Sequence, residues 1–141
     1  MIYSLGLRTT DVTINQAMVE IYTPATLAIR VLEIGISIAS ASACSIGLGR
    51  PAQQGITPVP VAFLAEQNAS NPVAKTNASL SWGTSPTAPA SYLRRVNFPS
   101  SAGSGVIWTF PRGLELPANS SLVLFNTTAT VASDVWIVID E

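Results

Sequence analysis

Apolar and polar positions alternate along most of the chain. The clearest case is the segment Ile29–Ile38, where Leu32, Ile34, Ile36 and Ile38 fall on one side and polar or small residues fall between them. A period of two is that of a β-strand, and β-branched side chains favour strands. The pattern therefore predicts a strand that buries its isoleucine face.

Similar segments recur at intervals, separated by residues that favour turns. The further predicted strands include residues 19–22, 77–82, 92–98, 106–110, 122–125 and 135–139. The segments between them are rich in Gly, Pro, Asn and Ser, as at residues 47–51, 85–89, 100–105 and 116–120. No apolar stripe of helical period is present, and the nearest candidate is a short helical turn at residues 62–68. Eight or nine strands without intervening helices predict a single all-β domain, either a sandwich or a barrel.

The charge content excludes several classes of function. Charged residues make up 11% of the 141 positions and the net charge is −1, so the chain offers no cationic field for nucleic acid. The N-terminus lacks the pattern of a signal peptide. The uncharged stretch at residues 34–49 is shorter than the about 20 residues that a membrane-spanning helix needs. We therefore expect neither a nucleic-acid partner nor a membrane partner.

Candidate chemistry is sparse. The chain has no histidine and one cysteine, which removes the Ser–His–Asp triad and most metal sites. Cys44 lies among small residues without a nearby base, so we interpret it as a buried strand residue. Glu20 and Glu33 are expected on the solvent face of their strands. A pair of carboxylates across a cleft is the remaining route to an enzyme, but no such context is recognisable. We expect no enzymatic activity, no cofactor and no metal.

Two sets of side chains are candidates for contacts with partners. Arg94 and Arg95 are adjacent in a predicted strand, so they should point to opposite faces. One interpretation is a structural ion pair plus a surface charge, and the other places one arginine in a subunit interface. The tryptophans, which lie on separate predicted strands, are expected to be core or interface aromatics, with a stacking site for sugars or bases as the alternative. They are Trp82, Trp108 and Trp136.

Several longer motifs resemble small structural proteins of tailed bacteriophages, the jelly-roll head-decoration (capsid cement) proteins. The motifs are IRVLEIG at 29–35, IGLGRPA at 46–52, GVIWTFP at 105–111, LPANSSLVLFN at 116–126 and VWIVIDE at 135–141. The resemblance implies a jelly-roll-like antiparallel β-sandwich over residues 16–141. It also implies a homotrimer that binds the major capsid protein on the outer surface of the head, after synthesis in the host cytoplasm, and strengthens the shell.

The N-terminal segment has two interpretations. Proteins of this type often carry an N-terminal arm that reaches over neighbouring capsid subunits, so residues 1–15 are either such an arm or the first strand of the sandwich. As an arm, the segment would contact a partner through Ile2, Tyr3, Leu5 and Leu7, with Val12 and Ile14 further along. The alternative function for the whole chain is a receptor- or glycan-binding fibre or spike module. Loops rich in Ser, Pro, Gly and Ala favour the decoration protein.

Overall fold

The computed structural model describes residues 1–10, 12, 15–128 and 130–141. The described residues form two antiparallel sheets packed as a sandwich and contain no helix, which confirms the predicted all-β class. No described segment could cross a membrane as a helix. The strands are β1 (Ile2–Arg8), β2 (Gln16–Tyr22), β3 (Ile29–Ile38), β4 (Cys44–Gly49), β5 (Ile56–Pro58), β6 (Val61–Ala62), β7 (Leu64–Ala65), β8 (Asn77–Ser79), β9 (Trp82–Thr84), β10 (Arg94–Phe98), β11 (Gly105–Leu116), β12 (Ser121–Asn126) and β13 (Ser133–Asp140).

The strand order is that of a jelly roll. The five-stranded sheet has the order β11-β3-β13-β1-β7, and the six-stranded sheet has the order β10-β4-β12-β2-β8-β6. The pairs β1–β13, β2–β12, β3–β11 and β4–β10 are all antiparallel. Together these pairs form one long hairpin-like ribbon. Its successive strand pairs lie alternately in the two sheets, which is the arrangement of a jelly roll. Of the two predicted architectures, the structure is therefore the sandwich and not the barrel.

The core lies between the two sheets, and β3 shows how the chain fills it. Ile34, Ile36 and Ile38 are buried in this core, as the alternation predicts. The prediction for Leu32 was wrong, because Val31 occupies the core and Leu32 is only half-buried. The reason is a register shift between β13 and β3 next to this position. One extra residue in a strand moves the side chains of all residues beyond it to the opposite face of the sheet.

Residues 50–93 connect β4 to β10 and cover the outer face of the six-stranded sheet; we call them the covering segment. Its side chains Trp82 and Tyr92 pack on Ala17, Val123 and Phe125 from that outer face. These outer contacts explain why β12 is buried on both faces. The six-stranded sheet is thus covered on both sides.

The helical turn predicted at residues 62–68 is wrong. Strands β6 and β7 occupy its first part, with Phe63 between them. β6 pairs with β8 at the edge of one sheet, and β7 pairs with β1 at the edge of the other. Phe63 is fully buried between the two sheets. The covering segment therefore closes this side of the sandwich by crossing from one sheet to the other.

The N-terminal segment is a strand of the sandwich. β1 pairs along its whole length with β13 and at Tyr3 and Ser4 with β7. Of the two interpretations of residues 1–15, the structure thus has the first strand and not the arm over residues 2–8. Val12 forms an isolated bridge with Val131. Residues 11, 13 and 14, and with them the predicted contact of Ile14, lie outside the described residues.

Candidate functional site

The outer face of the five-stranded sheet differs from that of the other sheet because the covering segment does not extend over it. Ile107, Gly35, Trp136 and Gly6 form one row across four strands of this sheet. Ile107 is 57% exposed, and open space surrounds the position that a Cβ of Gly6 would occupy. We call the outer side of this sheet, centred on that row, the exposed face.

Trp136 is the central side chain of the exposed face. Its indole lies against Gly35, so closely that a Cβ built at Gly35 would meet the ring at 1.8 Å. The indole Nε1–H donates a hydrogen bond of 3.0 Å to Oε1 of Glu33. Glu33 is half-buried on this face, consistent with its expected outward orientation. A glycine is thus required here for close packing, and the indole is held flat on the sheet.

Most charges of the exposed face lie at the two ends of its strands, with Arg30, Glu115 and Asp140 in register at one end and Arg8 and Asp134 at the other. The guanidinium of Arg8 donates two hydrogen bonds to the carboxylate of Asp134, of 2.6 and 2.7 Å. This hydrogen bonding lowers the pKa of Asp134 below its usual value and raises the pKa of Arg8. Both side chains are well exposed, so the pair contributes little to stability. It does leave this corner of the face without net charge.

Of the four N-terminal residues predicted to bind a partner, only Ile2 points to the exposed face. Tyr3 and Leu5 lie on the opposite side of β1 and are buried in the core, and Leu7 packs against the same core while half-buried. The prediction that Tyr3 and Leu5 contact a partner is therefore wrong for this fold. Ile2 is half-buried on the side shared by Ser4 and Gly6.

Arg94 and Arg95 point to opposite sides of β10, as their adjacency predicts. Arg94 pairs in register with the core residue Leu48, and its guanidinium lies 5.4 Å from the ring centre of Phe110 on β11. Arg95 lies on the outer side of the six-stranded sheet, 5.3 Å from the ring centre of Tyr92. Neither arginine has a described carboxylate within ion-pair distance. The structural ion pair is thus not found among the described residues.

Glu20 does not lie where the sequence predicts. The sequence predicts it on a solvent face, but it is buried beneath the covering segment. Its carboxylate accepts a 2.7 Å hydrogen bond from Trp82 Nε1 and a 3.0 Å hydrogen bond from the backbone N–H of Gly55. These bonds compensate for the loss of hydration, as a buried carboxylate requires. Burial, and secondly the charge of Glu20, raise the pKa of Tyr22. Glu20 therefore anchors the covering segment.

Cys44 and Trp108, two further residues singled out in the sequence, lie in or against the core. Cys44 begins β4 and is buried, which confirms its interpretation as a buried strand residue, and burial raises the pKa of its thiol. Trp108 packs half-buried against the core from the inner side of β11. Among the described residues, no three potential metal ligands of the His, Cys, Asp and Glu types lie close together.

Comparison of the chain with models of known protein families gave no match, and comparison with curated protein sequences gave none either. These comparisons therefore identify no family for the chain.

Proposed function

We propose that this protein is a non-enzymatic virion structural protein, a decoration protein on the outer surface of a tailed-phage head. In this proposal it forms homotrimers, and its exposed face binds the major capsid protein and stabilises the shell. The sequence motifs support the phage origin by resemblance, and the jelly-roll topology agrees with the fold that the resemblance implies.

The observation that carries the proposal is the difference between the two outer faces. The covering segment buries Val123 and Phe125 on the outer side of the six-stranded sheet, whereas Ile107 and Gly6 on the other sheet remain open. A domain that covers one apolar sheet face and leaves the other accessible has a surface suited to a partner.

The chemistry of the exposed face fits a broad protein surface. Small residues such as Ser4, Gly6 and Gly35 keep its middle low in relief, and opposite charges face each other in register at both ends of the strands. The four long strands β11, β3, β13 and β1, about 4.8 Å apart and about 27 Å long, give an area on the order of 500 Å². That is below the roughly 800 Å² per partner of a standard interface. Several copies in one oligomer would compensate through avidity.

Co-sedimentation with heads assembled from the major capsid protein of the same phage tests the proposal. Ile107→Glu places a charge on the exposed face, and Ile56→Glu is the matched control, because Ile56 is 59% exposed but belongs to the covering segment. We expect Ile107→Glu to weaken binding at least about tenfold, as expected for a charge desolvated within an interface, and Ile56→Glu to bind like the wild type. Equal binding by both variants, or no binding by the wild type, would contradict the proposal.

One observation favours a second candidate function, a glycan-binding module of a fibre or spike. An indole held flat on a sheet, as Trp136 is held by Gly35, offers a stacking surface for a pyranose ring. Glu33 binds the indole through Oε1, so its other carboxylate oxygen, Oε2, is the acceptor that this site would offer to a sugar hydroxyl. Titration of neutral oligosaccharides against the indole Nε1–H resonance of Trp136 tests this. A saturable shift that Trp136→Ala abolishes would support glycan binding, and an unchanged resonance would contradict it.

A further inference from the structure

The strand β11 has a free edge. It pairs with β3 on one side and is the last strand of its sheet. Ile38 of β3 donates a backbone hydrogen bond to the carbonyl of Ser104, directly before β11. Because residues of an antiparallel pair alternate between bonded and non-bonded positions, the backbone N–H and C=O groups of Gly105, Ile107 and Thr109 point away from β3. No strand among the described residues pairs with that side of β11.

Only the second half of β11 is protected against the addition of another strand. In residues 110–113 the strand departs from the register of β3, and Pro111 lies within this irregular part. Irregularities and prolines are common means of blocking strand addition. Residues 105–109 contain no proline and no charge, and the side chain of Ile107 is exposed. This open part is about 17 Å long at about 3.3 Å per residue, which is enough for a short added strand.

A basic groove adjoins the open part of β11. The groove has a volume of about 370 Å³ and is lined by Arg94, Thr109, Phe110, Pro111, Arg112 and Gly113. The guanidinium of Arg94 lies 5.4 Å from the ring centre of Phe110 and donates a hydrogen bond to the carbonyl of Leu93. Across the described part of the chain, no carboxylate lies within ion-pair distance of Arg94 or Arg112. Two exposed guanidinium groups thus lie at one end of the open edge without an ionic partner.

The charge around the groove is of one sign. Arg50, Arg94, Arg95 and Arg112 are four of the seven basic residues of the chain. Arg94 and Arg95 belong to β10 and Arg112 to β11, and Arg50 donates a hydrogen bond to the backbone carbonyl of Glu115. Glu115, the one acidic residue of β10 and β11, is in register with a further arginine on β3. The potential at this side of the sandwich therefore favours an acidic partner.

We infer that β11 binds an extended segment of a partner protein along residues 105–109, and that acidic side chains of this segment bind Arg94 and Arg112. Two independent features select this occupant. A row of unpaired backbone N–H and C=O groups fits an extended peptide, which adds a strand to the sheet. Guanidinium groups without ionic partners fit carboxylates, with which they form paired hydrogen bonds. The inference goes beyond the proposed function, because it does not require that the partner be a capsid protein.

A designed peptide tests the inference on the wild-type protein. The probe is Asp-Asp-Val-Thr-Val-Thr-Val-Asp-Asp, with blocked termini and with acidic residues at both ends so that either strand direction can form. One comparison peptide has Asn in place of every Asp. The other has Pro-Pro-Pro in place of Thr-Val-Thr, which keeps the charge but removes the backbone donors. We expect saturable binding of the probe, and binding weaker by at least about tenfold for each comparison peptide, because each lacks one set of hydrogen bonds.

Hydrogen exchange shows where the probe binds. The amide protons of Ile107 and Thr109 point to the free edge and should exchange rapidly in the free protein. Those of Val106 and Trp108 point to β3 and are the internal controls, with slow exchange throughout. Saturation with the probe should slow the exchange of the first two amides by at least about tenfold and leave the other two unchanged.

Two variants test the backbone edge and the arginines separately. Thr109→Pro removes one free donor at an edge position, where a strand tolerates proline, and Arg94→Gln with Arg112→Gln removes the two charges. Each variant should bind the probe at least about tenfold more weakly than the wild type. Arg95→Gln is the matched control, because Arg95 lies on the same strand as Arg94 but faces the outer side of the six-stranded sheet. It should bind the probe like the wild type.

Several results would overturn the inference. The wild type could fail to bind the probe at concentrations up to about 1 mM. Equal binding of the Asn peptide would show that the arginines do not select carboxylates, and equal binding of the proline peptide would show an anion site without an added strand. A lower oligomer mass for Thr109→Pro than for the wild type, measured by light scattering without peptide, would assign the edge to a second copy instead. None of these experiments uses capsids, so co-sedimentation tests the proposed function separately.

Discussion

Leu5→Ala measures whether the N-terminal segment belongs to the sandwich. Leu5 is 8% exposed, its side chain packs in the core, and β1 lies between β13 and β7. Truncation of a buried leucine costs about 2–5 kcal/mol, from the lost transfer free energy and the cavity left behind. A loss near the middle of that range, about 3 kcal/mol, lowers the unfolding midpoint of a chain of this size by about 10 °C. Ser4→Ala is the control, because Ser4 is on the outer side of the same strand.

The assay is thermal unfolding followed by circular dichroism, at one fixed chain concentration because association shifts the midpoint. We expect the large decrease for Leu5→Ala and less than about 2 °C for Ser4→Ala. Deletion of residues 1–10 should prevent folding, since it removes a paired strand. If Leu5→Ala or the deletion kept the wild-type midpoint and lost only partner binding, the segment would be a detachable arm, and the assignment of β1 to the core would be refuted.

Three more outcomes follow from single positions. Phe63→Ala should lower the free energy of unfolding, measured by urea unfolding, by about 3–5 kcal/mol because Phe63 is fully buried. The control Leu64→Ala, at the exposed neighbour, should lower it by less than about 0.5 kcal/mol. Equal losses would show that the crossing between the sheets is not packed as described. Cys44 should react with a thiol reagent at pH 8 more slowly in the folded chain than in the urea-unfolded chain, by a factor on the order of a thousand, because it is buried and the pKa of its thiol is raised. Equal rates in the folded and unfolded chains would contradict this. The pKa of Asp134 is lower in the folded chain than its usual 3.8, so the pair with Arg8 stabilises above that pH and its contribution is lost as the pH falls through the lower folded value. The midpoint difference between wild type and Arg8→Ala should therefore be small at neutral pH and vanish in acid, and a difference that grew in acid would contradict this sign.

The strands were predictable because burial on one face leaves a period of two in the sequence. Ile34, Ile36 and Ile38 follow that rule, whereas Leu32 does not, since a register shift is set by the neighbouring strand and leaves no local signal. In β1 the signal was present, because Tyr3, Leu5 and Leu7 alternate with small or polar residues. The arm interpretation gave that alternation too little weight.

The candidate site was less accessible to sequence reasoning. The burial of Glu20 depends on Gly55 and Trp82, which are 35 and 62 residues away in the chain. The row formed by Ile107, Gly35 and Trp136 joins three strands whose register only the fold defines. The separation of Arg94 from Arg95 was predictable, because adjacent residues of a strand face opposite sides.

Quantitative mass spectrometry of purified phage particles tests the central claim most directly. A decoration protein on the head should be present in intact, nuclease-treated particles at a copy number comparable to that of the major capsid protein. It should also be removed by mild treatments that leave the shell assembled, because it lies on the outer surface. Absence of the chain from purified particles, or its presence at only the few copies of a fibre or spike, would contradict the account.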